Sequence, residues 1–287
     1  MVNNRNIAIE LLDSLGGALS NNSLEGDVEG VYLQRSDTCL LTGNWLNVTG
    51  HGFILKDSQN VTVANSTVIV RDSAGIYLEN TNRSLLSGNS VTGGSQGLHL
   101  WHSNNNTVSS NNVTRFVTNG LYIFQSANNT LDRNLADGGL NGFAVDSSDH
   151  IDLARNVATS IINYGFVLDD SHDVSLDSSN ATNSRLGFYL HGAGFVLLTG
   201  NLAADSPDFG YHLESSHNCT LTGNSASNCS SSFFLTQSDN CSLTSNVATN
   251  GDIGFELDNS DNNMLISNTA AQNADTGFSL YGSRTTS

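Results

Sequence analysis

Residues 254–270 read GFELDNSDNNMLISNTA, and the chain repeats this pattern elsewhere. Residues 75–91 read GIYLENTNRSLLSGNSV, and residues 120–136 read GLYIFQSANNTLDRNLA. In all three stretches an apolar residue follows the glycine, a Ser or Thr stands six residues after it, a Leu eleven residues after it and an Asn fourteen residues after it. The sequence therefore contains an internal repeat, and the repeat is the first guide to the fold.

The repeat covers the whole chain, and every step is 22 or 23 residues long. The thirteen copies begin at Ala8, Gly30, Gly52, Gly75, Gly97, Gly120, Gly142, Gly165, Gly187, Gly210, Ser232, Gly254 and Gly277. Because no linker of different composition separates them, the sequence predicts a single domain over residues 1–287. Offsets are counted below from the first residue of each copy, so that Phe255 is at position +1.

Each copy contains three pairs of positions with a period of two, at +1/+3, +9/+11 and +14/+16. Alternate residues of a strand point to the same side, so each pair is the inward face of one short strand. Three short strands in about 22 residues, without a helical stretch, predict one coil of a parallel β-helix. The leucine-rich repeat is the nearest alternative, but its arm is not a second alternating strand, as the GFxL segment is here.

Two polar columns accompany the apolar positions. Asn occupies position +14 in ten of twelve copies, and Ser or Thr occupies position +6 in twelve of thirteen. Stacked side-chain amides can hydrogen-bond to one another, so both columns are predicted to be structural.

At +16 the first five copies carry Leu or Val and the next seven carry Ala, while +1 changes from mostly aliphatic to aromatic. If these two positions meet in the lumen, the total side-chain volume is conserved.

The GFxLxxSxxNxLxxNxA pattern resembles the right-handed parallel β-helix repeats of the NosD-like and carbohydrate-binding/sugar-hydrolase (CASH) families. The resemblance covers essentially the full chain and implies a right-handed, single-stranded β-helix of about 13 coils. Members of this superfamily range from polysaccharide lyases and hydrolases to surface stalks, so the resemblance specifies the fold better than the function. The copper association of NosD proteins does not transfer, because 8 His and 2 Met residues form no clustered ligand motif.

Charge and composition limit the classes of binding partner and the cellular compartments that are expected for this protein. The chain carries 27 acidic and 10 basic residues, a net charge of −17, and its one lysine is Lys56. This field repels phosphate backbones, so nucleic acid is not expected as a partner. No segment reaches the roughly 20 apolar residues of a membrane helix, and the N-terminus lacks the apolar core of a signal peptide. We expect an extracellular or cell-surface protein, with this chain as an uncapped part of a longer one.

Residues that differ between copies are the candidates for function, and those at +2 and +4 of the first strand are predicted to point outward. One aromatic cluster occupies adjacent copies and suits stacking against sugar rings or contact with a partner protein. Its members are His99, Trp101, His102, Tyr122 and Phe124. Packing of aromatic side chains on a strand surface is the structural alternative.

A second cluster combines acids and histidines. Its members are Asp146, Asp169, Asp170, His191, His212 and Glu214. Carboxylates on successive coils could bind Ca²⁺, or two of them could serve a glycosidase. An arginine of the kind that β-eliminating lyases use is lacking, since Arg185 lies in a turn one coil away. No cofactor is predicted apart from this possible Ca²⁺.

Cysteines and sequons bear on the compartment. Cys39, Cys219 and Cys241 occupy the inward position +9, and Cys219 and Cys241 stack on adjacent coils, so a disulfide between them is feasible. Cys229 lies in the turn between them. Twelve N-x-S/T sequons make glycosylation compatible with the sequence.

These observations predict a non-catalytic surface scaffold that contacts glycans or partner proteins through its aromatic face. The alternatives are a polysaccharide hydrolase or lyase on the same strand column, and a sheath or filament subunit that associates end to end.

Overall fold

The structure is a computed structural model that describes residues 6–26 and 28–284. Every regular element in these residues is a β-strand, and none is an α-helix. None of the described residues forms a helix that could span a membrane. The chain divides into two compact units, unit 1 over residues 1–140 and unit 2 over residues 141–287.

Unit 1 contains eighteen strands in its described part, three for each copy of the repeat. They are β1 Ile7–Leu12, β2 Ala18–Ser20, β3 Ser23–Glu25, β4 Glu29–Gln34, β5 Leu40–Thr42, β6 Trp45–Asn47, β7 Phe53–Lys56, β8 Thr62–Ala64, β9 Thr67–Val70, β10 Ala74–Glu79, β11 Leu85–Ser87, β12 Ser90–Gly93, β13 Gln96–Trp101, β14 Thr107–Ser109, β15 Asn112–Thr114, β16 Asn119–Phe124, β17 Thr130–Asp132 and β18 Leu135–Asp137.

Unit 2 contains nineteen strands in its described part. They are β19 Asn141–Asp146, β20 Asp152–Ala154, β21 Val157–Thr159, β22 Tyr164–Asp169, β23 Ser175–Asp177, β24 Asn180–Thr182, β25 Leu186–His191, β26 Leu197–Thr199, β27 Leu202–Ala204, β28 Phe209–Glu214, β29 Thr220–Thr222, β30 Ser225–Ser227, β31 Ser231–Thr236, β32 Ser242–Thr244, β33 Val247–Thr249, β34 Ile253–Asp258, β35 Met264–Ile266, β36 Thr269–Ala271 and β37 Thr276–Tyr281.

Every third strand joins the same sheet, so each unit has three parallel sheets, and the first is built from the first strand of each copy. Partner residues lie 22 or 23 positions apart, for example Tyr77 with His99 and Phe166 with Phe188. This register defines a parallel β-helix, as the repeat predicts. Unit 1 holds six complete coils, and unit 2 holds six more and the first strand of another.

The lumen of unit 2 is filled by a continuous stack of aromatic rings at position +1. Neighbouring centroids are 4.7–4.9 Å apart and the planes deviate by only 2–7°. The stack consists of Phe143, Phe166, Phe188, Tyr211, Phe233, Phe255 and Phe278. Parallel in-register strands place one ring on each coil, and the rings stack at the strand spacing.

The Asn column at +14 forms the predicted ladder. Asn224 Nδ2 donates to Asn246 Oδ1 at 3.0 Å and to the carbonyl of Leu198 at 2.9 Å. Its own Oδ1 accepts from the backbone N–H and from Nδ2 of Asn201 at 2.9 and 3.1 Å. Unit 1 repeats this arrangement, for example where Asn89 Nδ2 donates to Asn111 Oδ1 at 2.9 Å. The side chains replace backbone partners that a turn would leave unpaired in the interior.

The repeated glycine is required by close packing. A Cβ atom on Gly187 would lie 2.6 Å from the carbonyl oxygen of Gly210 and 2.8 Å from the Cβ of Ala203, which is at +16. Both contacts are too short for any side chain at position 0. The size of the residue at +16 therefore limits which residue can stand at position 0, and the reverse.

The cysteines at +9 are buried as predicted, and all four cysteines are free thiols in the structure. The disulfide between Cys219 and Cys241 is therefore not formed here and stays a prediction.

Candidate functional site

The first sheet presents two outward columns, at +2 and +4, as the sequence predicts. In β13 the side chains of Leu98 and Leu100 are fully buried, whereas His99 and Trp101 are partly exposed. The same alternation holds in β16, β22, β25 and β28. Side chains at these positions of adjacent coils are in register, so rings and charges of different copies can meet.

The predicted aromatic cluster lies on this surface in unit 1. His99 and Tyr122 have centroids 4.8 Å apart, and Tyr122 stacks on Phe124 at 5.7 Å. Trp101 pairs with His102 at 5.2 Å. Register places Trp101 beside Phe124. The structure therefore brings the five predicted residues together, with His102 the most exposed.

Two further rings extend the cluster, and the sequence analysis did not include them in it. His51 lies 5.5 Å from Tyr77, and Tyr77 lies 5.2 Å from His99. We call the seven residues together the aromatic face: His51, Tyr77, His99, Trp101, His102, Tyr122 and Phe124. The signal for Tyr77 was its place in the +2 column, and that for His51 was its place just before the repeat glycine.

One ion pair borders the aromatic face. Lys56 Nζ is 2.7 Å from Glu79 Oε2 and 5.8 Å from the centre of the Tyr77 ring. The Tyr77 hydroxyl donates to the same carboxylate at 3.1 Å. Burial and the Glu79 carboxylate raise the pKa of Tyr77 well above its usual value. The ion pair leaves this border without net charge, in contrast to the chain as a whole.

His99 stays neutral at physiological pH. Burial, and to a smaller extent nearby His51, lowers the pKa of His99 to about 4. Its Nε2 atom and the Nε1 atom of Trp101 are enclosed and have no hydrogen-bond partner within the described chain. The aromatic face is thus mainly a surface of uncharged rings, which suits an uncharged ligand better than an ionic one.

The second predicted cluster, in unit 2, is only partly brought together. Asp146, Asp169, His191 and Glu214 follow one another in register at +4. His191 Nδ1 lies 2.7 Å from Asp169 Oδ1. One ligand atom each of Asp169, Asp170 and His191 lies within 4.8 Å of the others, the one such group of three in the described residues. The hydrogen bond to Asp169 raises the pKa of His191 and favours its charged form.

His212 and Glu214 make other contacts. The His212 ring packs against Tyr189 at 5.2 Å and Phe234 at 4.9 Å, and its Nε2 is enclosed and unpaired. Burial lowers the pKa of His212 and disfavours its charged form, so it is not a charged partner of the aspartates. Glu214 Oε2 accepts the hydroxyl of Tyr189 at 2.5 Å. Burial and this carboxylate raise the pKa of Tyr189 above its usual range.

Tyr189 belongs to a second group of outward rings that the sequence analysis did not identify. We call it the ring row of unit 2, and its members are Tyr164, Tyr189, Phe209, His212 and Phe234. Tyr164 and Phe209 stand just before a repeat glycine, the same offset as His51. The outward surface of this sheet therefore includes the position before the glycine as well as +2 and +4.

The unit 2 surface can perform acid–base chemistry in principle. A carboxylate–imidazole pair and a phenol–carboxylate pair lie on neighbouring coils, and these are groups that move protons in enzymes. Ca²⁺ takes about six to eight oxygen ligands, more than Asp169 and Asp170 supply, so Ca²⁺ binding there stays a prediction. Arg185 is engaged with Asp208 at 2.5 Å, so its guanidinium is held away from this cluster.

The fold and its repeated polar ladders define a parallel β-helix repeat protein. Residues 141–287 match the family described as right-handed β-helix region, and the chain belongs to this family. Residues 1–135 match the family described as periplasmic copper-binding protein (NosD). The predicted resemblance to NosD-like right-handed β-helix repeats is thus confirmed. A comparison with curated proteins gives no match.

Solved structures with the same fold include enzymes named for mannuronan and alginate. The A-module of a mannuronan C-5 epimerase from Azotobacter vinelandii is 14% identical with a TM-score of 0.63, over 95% of this chain and 91% of that one. DFA-IIIase from Arthrobacter chlorophenolicus A6 is 10% identical with a TM-score of 0.68, over 89% and 83%. An alginate lyase from Paenibacillus sp. FPU-7 is 10% identical with a TM-score of 0.52, over 76% and 88%. At these identities the likeness establishes the fold alone.

The copper named for the NosD family does not fit the side chains of the matching residues. In the described part of residues 1–135 no three His, Cys, Asp or Glu ligand atoms converge. His51 Nδ1 faces Glu29 at 3.1 Å, and Cys39 is buried in the lumen. Copper prefers several imidazole or sulfur ligands in one place, and this donor set is dispersed along the coils.

Proposed function

We propose that this protein is a non-catalytic β-helix of the extracellular space or cell surface that contacts glycans through the aromatic face of unit 1. The observation that carries the proposal is the row His51, Tyr77, His99 and Tyr122, whose neighbouring ring centroids are 4.8–5.5 Å apart. One ring on each coil, at a strand spacing of about 4.8 Å, gives an extended apolar strip. The flat C–H faces of sugar rings stack on such a strip.

The comparisons support a role with carbohydrates and a location outside the cytoplasm. The NosD family is described as periplasmic, and the epimerase and lyase of the same fold act on mannuronan and alginate by name. The acidic surface suits a solvated exterior. A protein partner that packs on the same rings is the other ligand class for this face.

Glycan binding by the aromatic face is tested with two alanine variants. We expect Trp101→Ala and Phe124→Ala each to weaken glycan binding by about tenfold, because buried aromatic anchors dominate such contacts. A glycan array with the purified chain identifies the ligand, and calorimetry then measures the loss. Val117→Ala is the matched control, since Val117 is an exposed apolar residue of unit 1 outside the face. Unchanged binding in both ring variants, with the fold intact, would contradict the proposal.

An enzyme that cleaves polysaccharides on unit 2 is the second candidate. The observation that favours it is the pairing of Asp169 with His191 at 2.7 Å, next to the pairing of Tyr189 with Glu214. The first pair favours the charged form of the His191 imidazole, and the second favours the protonated form of the Tyr189 phenol. Both are groups that can give or take a proton beside a bound sugar.

Cleavage is tested by release of new chain ends from a panel of polysaccharides. If the second candidate is correct, the wild-type chain releases reducing ends by hydrolysis, or unsaturated ends by elimination. Asp169→Asn then lowers the rate by about a hundredfold or more. Asp177→Asn, an exposed acid on the second sheet of unit 2, is the control and keeps the rate. A chain that releases neither product from any substrate speaks against this candidate.

End-to-end self-association remains a prediction. Electron microscopy of the purified chain would show rods or filaments longer than one molecule if the coils of different copies stack.

A further inference from the structure

The ring row of unit 2 is a continuous strip of rings over four neighbouring strands of the first sheet, β22, β25, β28 and β31. Tyr164 stacks on Tyr189 at 4.9 Å, Tyr189 lies 5.2 Å from His212, and His212 lies 4.9 Å from Phe234. Phe209 widens the strip beside His212, at 4.8 Å. All five side chains are partly exposed. The strip can therefore receive a flat ligand along the stacking direction of the coils.

Carboxylates run alongside this strip, whereas Glu79 beside the aromatic face of unit 1 is paired with Lys56. Glu214 at +4 follows the ring of His212 at +2 by two residues, about 7 Å along the strand. Asp169 stands two residues after Val167, which pairs in register with Tyr189, and Asp170 follows Asp169 directly. In the described residues the one cation paired with any of these three is His191, on Asp169. Glu256 and Asp258 place further negative charge on the next coil, at +2 and +4 of the same columns.

We propose that this face of unit 2 binds a cationic polysaccharide, namely a chain of glucosamine-type sugars whose free amino groups are protonated. The sugar rings would stack on the ring row, and their ammonium groups would bind the flanking carboxylates. This ligand is distinct from that of the aromatic face, and the inference does not depend on the function proposed for unit 1.

Charge decides among the sugar classes. A polyuronate such as alginate would bring its carboxylates against Asp169, Asp170 and Glu214, and like charges at such short range repel. A neutral glycan could stack on the rings and donate hydroxyl hydrogen bonds to the carboxylates, but hydrogen bonds from uncharged donors are weaker than those from an ammonium group. An ammonium group offers three donors and a full positive charge to the same oxygens.

The dimensions of the face also match a polysaccharide. The coils repeat at about 4.8 Å, which is close to the length that one pyranose ring adds to an extended chain. Successive sugars can therefore meet equivalent positions on Tyr164, Tyr189, His212 and Phe234 in turn. A short oligosaccharide would span the whole row.

The test compares one oligosaccharide backbone in two charge states. Calorimetry with the full chain measures binding of a glucosamine hexamer and of its fully N-acetylated counterpart, which is neutral. We expect the glucosamine hexamer to bind more tightly, and its affinity to fall as salt is raised. Glu214→Gln and Asp170→Asn should each weaken it by about fivefold, and Phe234→Ala should weaken both hexamers.

A matched variant separates a specific site from general attraction, because a chain of charge −17 attracts any polycation. Asp177→Asn removes the same charge from the second sheet of unit 2, and it should leave the affinity unchanged. Equal losses in Asp177→Asn and Asp170→Asn would overturn the proposal, as would tighter binding of the N-acetylated hexamer or of alginate. Trp101→Ala tests unit 1 and should not affect the glucosamine hexamer, so the two proposals can fail independently.

Discussion

Replacing Asn224 by Ala is expected to destabilise unit 2 by about 3 kcal/mol or more. The substitution leaves the backbone N–H and the Nδ2 of Asn201 without their acceptor, and the carbonyl of Leu198 without its donor. Each buried polar group that loses its partner costs about 1–3 kcal/mol. Because Asn224 is fully buried, water cannot replace the lost partners without opening the coil.

The chain itself supplies the control for this variant. Position +14 carries Ser66 and Ser179 in two copies, where the hydroxyl accepts the N–H of Asn44 at 3.2 Å or of Asn156 at 3.1 Å. Asn224→Ser should therefore cost less than Asn224→Ala, because it keeps one of the acceptors. Urea unfolding followed by circular dichroism measures both, and hydrogen exchange shows which coils open, since long repeat arrays need not unfold in one step. Equal costs for Ala and Ser would contradict the ladder's role.

The fold was predictable because the same pattern of inward and outward residues occurs in thirteen successive copies. Inward positions such as +1, +3 and +14 accept few residue types, so the same pattern recurs in nearly every copy and sets the strand register. The prediction of the Asn ladder is confirmed. Because each amide must hydrogen-bond to the neighbouring copies on both sides, few other residue types can replace Asn at +14. Register then places any two residues of equal offset side by side.

The candidate sites were only partly predictable, because an outward side chain can contact any of several neighbouring side chains, and the sequence does not show which one. His212 was expected among the acids, yet its ring packs against Tyr189 and Phe234, since aromatic neighbours bury it more fully than carboxylates do. Glu214 correspondingly bonds to Tyr189 rather than to His191. Tyr164 escaped notice because the position before the repeat glycine does not follow the +2/+4 alternation. The position of a residue in the repeat shows which residues lie next to it on the neighbouring coils. The rotamer of its side chain depends in addition on how the side chains of three coils pack together.

Replacing Phe188 by Ala is expected to have the largest effect on stability, a loss of about 3–5 kcal/mol in unit 2. Its ring is fully buried and stacks between Phe166 at 4.9 Å and Tyr211 at 4.8 Å. The in-register backbone holds both neighbours at the strand spacing, so they cannot move into the space that the ring leaves. Urea or thermal unfolding measures the loss.

A double variant then tests whether positions +1 and +16 share the lumen volume. One copy in unit 1 combines Leu at +1 with Val at +16, namely Leu98 with Val113. Phe188→Leu alone should destabilise unit 2 by leaving a cavity, and Ala203→Val alone by overpacking, which typically costs about 1–3 kcal/mol. If the two positions exchange volume, the double variant should be more stable than the sum of the single losses predicts. Additive losses would mean that the change from aliphatic to aromatic residues at +1 and the change to Ala at +16 are independent. The ring stack would then fill the lumen of unit 2 without a contribution from the side chains at +16.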